Sequence, residues 1–118
     1  MRKADARSVT VVDREFSASL IVTANSVDAE LPAHVVGELD QPAIDRILAF
    51  QPDVVLLGTG ARCVFPAQRV FAEFLRRGIG LEAMDNAAAA RTFNVLVGEG
   101  RNAVAVFLLD APRAGANG

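Results

Sequence analysis

Two unbroken apolar runs, residues 54–57 (VVLL) and 103–109 (AVAVFLL), constrain this chain more than any other feature. A strand with one wet face alternates apolar and polar side chains. A continuous run needs apolar cover on both faces, as in a mostly parallel sheet with helices on either side. Parallel neighbours in turn require crossover connections, and the residues between and around the runs supply them.

Asp40 is a good N-cap and Pro42 falls in the first turn, where its missing N–H costs nothing. Ile44, Ile47 and Leu48 then mark one apolar helix face, and Pro52 ends the helix. Pro66 opens a second helix, with Val70, Phe71, Phe74 and Leu75 inward, Arg69, Arg76 and Arg77 outward, and Gly78 at the C′ position. Residues 79–83 read as a short strand. Asp85 caps a third helix over 86–97, with Ala89, Phe93 and Leu96 on its buried face and Gly98 at its end. Before residue 40 the pattern changes. Residues 8–13 and 17–23 read as antiparallel strands joined through 13–16, and residues 31–36 as a third strand starting near Pro32. The fold class is α/β: three layers, a central mixed and mostly parallel sheet flanked by helices, and an N-terminal antiparallel β-hairpin layer. With 118 residues the chain makes one domain over 7–110, between flexible ends at 1–6 and 111–118.

Composition removes several functions. The net charge is −2, Lys3 is the only lysine and the arginines are scattered, so no basic stripe for nucleic acid is visible. Cys63 stands alone, so no internal disulfide forms, and one His with one Cys is too few for a metal site. No cofactor motif is complete. No stretch has the length of a membrane span and no signal segment is present, which makes the cytoplasm the expected compartment. With 52% hydrophobic residues and neither Trp nor Tyr, the chain has apolar surface to spare but only Phe as an aromatic anchor.

The candidate site follows from position. In open α/β sheets ligands bind beyond the carboxyl ends of the strands. Gly58, Thr59 and Gly60 follow one strand and Met84, Asp85 and Asn86 follow another. If the strands are neighbours, both loops line one crevice, and the free N–H groups at the start of the third helix suit a small anion there. Arg91 leans back toward that end, and Asn94, a poor helix-interior residue, signals a specific hydrogen bond. Each feature also has a structural explanation: a strand-ending turn for Gly58–Gly60, a helix cap for Asp85, an ion pair for Arg91. Cys63 with His34, or His34 with Ser17 or Ser19, are the only conventional nucleophile pairings, and nothing in the sequence joins them. Asp85 and Glu99 stand at helix ends, where capping explains them. No catalytic residue is assigned.

Residues 56–60 (LLGTG) and 84–109 (MDNAAAARTFNVLVGEGRNAVAVFLL) resemble the family of mitochondrial complex I assembly factor three. That family also holds the adipogenesis-associated small-domain protein and uncharacterised bacterial and archaeal relatives. The likeness runs from about Phe16 to Leu109. Gly58, Thr59, Gly60, Met84, Asp85, Arg91, Thr92, Asn94, Glu99, Gly100 and Arg101 match. Asn86 stands where the family usually has Thr, Ala90 replaces Cys and Phe93 replaces Tyr. The resemblance implies the same three-layer fold and no established enzyme activity. The expected role is a non-catalytic interaction or assembly factor with unidentified protein partners, acting as a monomer or weak homo-oligomer. The alternatives are a small-molecule or anion binder or enzyme using the crevice, and a purely structural subunit.

Overall fold

The computed structural model describes residues 3–4, 9–11, 14–29 and 31–110. Its strands are β1 (Lys3–Ala4), β2 (Val9–Val11), β3 (Arg14–Phe16), β4 (Leu20–Val22), β5 (Val27–Asp28), β6 (Val54–Gly58), β7 (Gly80–Met84) and β8 (Ala103–Phe107). Its α-helices are α1 (Gln41–Leu48), α2 (Gln68–Leu75) and α3 (Asn86–Gly98). The main sheet has the order β5-β4-β8-β6-β7. β6 runs parallel to both β7 and β8, whereas β4 is antiparallel to β8 and to β5. All five residues of β6 and of β8 are buried, as unbroken apolar runs require.

Helices cover the two faces unequally. α1 and α2 bring Ala43, Ile44, Ile47, Val70 and Phe74 onto one face, against Ile21, Val55, Leu57, Val104 and Val106. α3 brings Ala89, Ala90 and Phe93 onto the other, against Leu20, Val22, Leu56, Ala105 and Phe107. Successive strand residues point to opposite faces, so each apolar run feeds both cores. β1, β2 and β3 form a separate antiparallel sheet of order β1-β2-β3, which reaches the α3 layer through Ala4 and Phe16. The three-layer α/β architecture with an N-terminal antiparallel layer is therefore present.

The early strands are divided differently from the expectation. The stretch 13–16, read as a connection, contains β3, paired with β2 from Val9↔Phe16 to Val11↔Arg14. The stretch 17–23 is not the hairpin's second strand. Its strand is only β4, whose Leu20, Ile21 and Val22 are all buried, and residues covered on both sides belong inside the main sheet. The rest of 8–13, the remainder of 1–6 and all of 111–118 lie outside the described residues.

Residues 31–36 form no strand. Leu31 and Ala33 are buried, but the chain bends and ends in a 3-10 turn over Val36–Glu38. The Glu38 carboxylate accepts from the backbone N–H of His34 at 2.7 Å and of Val35 at 3.4 Å, taking the donors a strand partner would need. Pro32 offers no donor at all.

Helix ends follow local chemistry. Asp40 caps α1 by accepting from Ala43 N–H at 3.1 Å, and Arg46 ties α1 to β5 through both oxygens of Asp28. α2 starts two residues after Pro66. It closes with Gly78 N–H on Leu75 O and Ile79 N–H on Phe74 O, the paired bonds that place Gly78 at C′ with φ +73°. α3 closes the same way on Gly100, not Gly98: Gly100 N–H bonds Val97 O, Arg101 N–H bonds Leu96 O, and Gly100 carries φ +78°. Gly98 stays helical because one residue with positive φ closes the helix, and Gly100 supplies it. Leu75, expected inward, is 74% exposed. It lies one residue, about 100° of helix rotation, past buried Phe74.

Candidate functional site

The parallel pairing of β6 with β7 puts both candidate loops at one edge of the sheet. Gly58 is level with Met84 and with Phe107 of β8. The turn after β6 and the start of α3 are thus neighbours, as the crevice required. What lies between them is the side chain of Asn86, which is fully buried. Its Oδ1 accepts from Gly60 N–H at 3.2 Å and its Nδ2 donates to Leu108 O at 3.1 Å, while its backbone N–H donates to Gly60 O at 2.8 Å. One amide joins the Gly-Thr-Gly turn, α3 and the end of β8.

Gly58 is glycine because of this amide. A Cβ at Gly58 would land on Asn86 Oδ1 and would also sit 3.2 Å from Val106 O. The glycine therefore serves a close approach of side chain to backbone. Gly60, with φ +104°, turns the chain so that both its N–H and its C=O face Asn86.

The other groups are committed in the same way. Asp85 caps α3, accepting from Ala88 N–H at 2.7 Å, so a carboxylate of the chain itself already sits at the helix start. Thr59 Oγ1 donates toward Arg62 O at 2.6 Å and accepts from Val64 N–H at 2.9 Å, which folds the following loop back on the turn. Thr59 N–H bonds Met84 O at 2.9 Å. Among the described residues no buried side-chain polar atom lacks a partner. Arg91 is exposed and forms no hydrogen bond or ion pair with Asp85 or with the turn. Asn94 is exposed and has a bonded partner. Replacing Asp85 by Ala should lower stability by about 1 kcal/mol, whereas Asp85→Asn, which also caps, should stay within a few tenths. Urea unfolding of the two variants checks this, and equal losses would mean that the charge matters and the cap does not.

Among the described residues no hydrogen bond joins His34 to Cys63, Ser17 or Ser19. His34 Nδ1 donates to Leu109 O at 3.1 Å. Ser19, fully buried, accepts from Leu109 N–H at 2.9 Å and points its hydroxyl toward the same carbonyl at 3.5 Å. The two side chains together hold the chain where it leaves β8, a role the sequence did not signal. Exposed Cys63 bonds Ala83 O at 3.4 Å through Sγ. Ala83 is on β7 and Leu109 follows β8, two strands away in the sheet, so the two are more than about 10 Å apart. No set of three or more His, Cys, Asp or Glu side chains among the described residues is grouped to hold a metal ion.

The joint at Asn86 and the sheet order around it define a fold that can be compared with known proteins. The family model for proteins of unknown function described as DUF498/DUF598 matches residues 1–108. The chain belongs to the DUF498/DUF598 family. A Xanthomonas campestris protein solved by NMR is 44% identical and superposes with a TM-score of 0.85, covering 92% of this chain and 82% of that one. A Bordetella pertussis protein described as a Mth938-like domain shares the fold, with a TM-score of 0.78 at 24% identity, over 98% of this chain and 87% of that one. Among curated proteins, the "13 kDa major membrane protein" of Francisella tularensis is 26% identical over 95 residues, 80% of this chain and 77% of that protein. No helix among the described residues of this DUF498/DUF598 member is long and apolar enough to cross a membrane.

Proposed function

We propose that this protein acts without catalysis, as a protein-interaction or assembly factor in the cytoplasm. The observation that carries this reading is the commitment of the candidate crevice to internal bonds. Asn86 fills it, Asp85 caps the helix that opens onto it, and Thr59 is spent on its own loop. Polar groups whose donors and acceptors engage one another make a rigid joint, and a reaction site needs some of them free to meet a substrate. The resemblance to complex I assembly factor three suggests the class of partner: subunits of a membrane-bound respiratory complex. The name of the Francisella relative points the same way, toward work beside a membrane, which a chain of this kind does as a peripheral protein.

A second reading, a small-anion binder, is favoured by one observation. Arg91 is exposed and holds no partner among the described residues, on the helix whose start forms the joint. Affinity purification of wild type and Arg91→Ala from a native lysate, with proteins and metabolites both identified by mass spectrometry, separates the two. The interaction reading expects the same protein partner in near-equal amount with both baits. An organic anion that accompanies wild type without any protein partner, and disappears with Arg91→Ala, would overturn it in favour of the second.

A further inference from the structure

The loop after β6 and helix α2 combine exposed arginines with exposed large apolar side chains. Residues 61–80 contain Arg62, Arg69, Arg76 and Arg77 and a single acid, Glu73, a net charge of +3 inside a protein of net charge −2. All four arginines are exposed. Glu73 is paired with Arg77 and Arg76, which hold its pKa below the usual value, so its charge offsets one of the four arginines. The same segment carries Val64, Phe65 and Leu75, which are 47%, 72% and 74% exposed. The other exposed large hydrophobics among the described residues are Val35 and Val95.

The apolar groups are held in place. Thr59 Oγ1 accepts from Val64 N–H at 2.9 Å, Cys63 bonds the edge strand at Ala83 O, and buried Pro66 fixes the chain between Phe65 and α2. Phe65 thus stands in water on an ordered loop, so ordering it costs little when it is covered. Along α2, Val70 and Phe74 face the core, while Leu75 points outward in the same turn as Arg76. A segment joining exposed apolar side chains, Phe65 on the loop and Leu75 on the helix, to exposed arginines suits an anionic bilayer, where apolar groups enter the headgroup boundary and basic groups meet phosphate.

We propose that residues 62–77 form a peripheral docking surface for anionic phospholipid, with Phe65 and Leu75 entering the interface and Arg62 and Arg69 meeting the headgroups. This deepens the membrane-side part of the functional reading and rests on it. Charge complementarity selects the occupant: the segment carries a net charge of +3 in a chain of net charge −2, so an anionic bilayer attracts it. Two or three apolar side chains and a few arginines give weak, reversible attachment of the kind that needs a second contact to become stable.

Co-sedimentation of the purified full-length protein with vesicles tests the proposal. Vesicles of equal parts phosphatidylcholine and phosphatidylglycerol should bind it, and pure phosphatidylcholine vesicles should not. Raised salt should release it, since exposed charges are screened. The Phe65→Ser/Leu75→Ser double variant should bind about tenfold more weakly and Arg62→Glu/Arg69→Glu should bind no better than to neutral vesicles, with circular dichroism and melting unchanged in both. Absence of binding to the anionic vesicles, equal binding to neutral ones, or binding indifferent to both variants would overturn the proposal and give the surface to a protein partner. The lysate experiment on the interaction reading contains no vesicles, so either reading can fail alone.

Discussion

Gly58→Ala should be the most damaging single-methyl change in this protein, costing about 3 kcal/mol or more and leaving little folded chain if the starting stability is modest. The added Cβ would overlap Asn86 Oδ1, and it would also stand 3.2 Å from Val106 O and 3.3 Å from Asn86 Cα. Neither backbone atom can retreat. Val106 belongs to the buried strand β8, and Asn86 opens α3, whose position is set by Phe93 and Ala89 in the core. Relief must come from Asn86 swinging away, which breaks its bonds to Gly60 and Leu108 and leaves buried groups unsatisfied. The Gly58→Ala/Asn86→Ala pair tests this account. Because the clash needs both partners, the double variant should lose clearly less than the sum of the two single losses, a non-additivity of at least about 1 kcal/mol. Equilibrium urea unfolding reads it, and strictly additive losses would show that Asn86 is not what excludes a side chain at Gly58.

The sequence was legible where one physical rule acted alone. Continuous apolar runs can only be covered on both sides, so β6 and β8 were readable, and with them the layered α/β plan. Asp40 and Asp85 cap as isolated N-caps do, because the bond each makes is to its own helix. The reading failed where a specific side-chain bond or strand pairing overrode what composition favours. Residues 31–36 have strand-like composition, yet Glu38 removes two of their donors and Pro32 removes another. The 14–16 strand was missed because REF is charged at two of its three positions, and only its pairing with β2 makes it a strand. Gly98 and Gly100 compete as helix stops, and composition gives no way to choose between them.

For the candidate site, the sequence brought the two loops together on condition that their strands are neighbours, which the pairing of β6 with β7 meets, and it counted Asn86 among the groups lining a crevice. An asparagine at the first position of a helix is unremarkable by composition. Its burial becomes visible only when Gly58, twenty-eight residues earlier in sequence, is seen to leave room for it. That glycine was the available signal, since a glycine at the end of a fully buried strand, where a larger residue would add apolar cover, asks what approaches it.

Asn86→Ala and Asn86→Asp together measure what that amide holds. Removing it leaves the buried Gly60 N–H without its acceptor and Leu108 O without the Asn86 donor, at about 1–3 kcal/mol for each group, so Asn86→Ala should lose about 2–6 kcal/mol. The aspartate variant is more informative because its charge can be switched. Its carboxylate can accept from Gly60 N–H but has no proton to give Leu108 O, and it is buried. Its protonated form can do both, accepting with one oxygen and donating with the other. Burial and the facing carbonyl therefore raise the folded-state pKa of the introduced carboxyl above its unfolded value of about 4. With the folded pKa raised, the proton stabilises the fold. The Asn86→Asp variant should approach wild-type stability below the unfolded pKa and fall progressively behind as pH rises through the folded pKa, to a deficit of several kcal/mol at neutrality. The quantity to measure is the difference between variant and wild type in urea unfolding from acid to neutral pH, which cancels the acid sensitivity of the rest of the chain. A difference that stays constant with pH would mean that the side chain at this position reaches water, and that the space between the turn and the helix is an open crevice after all.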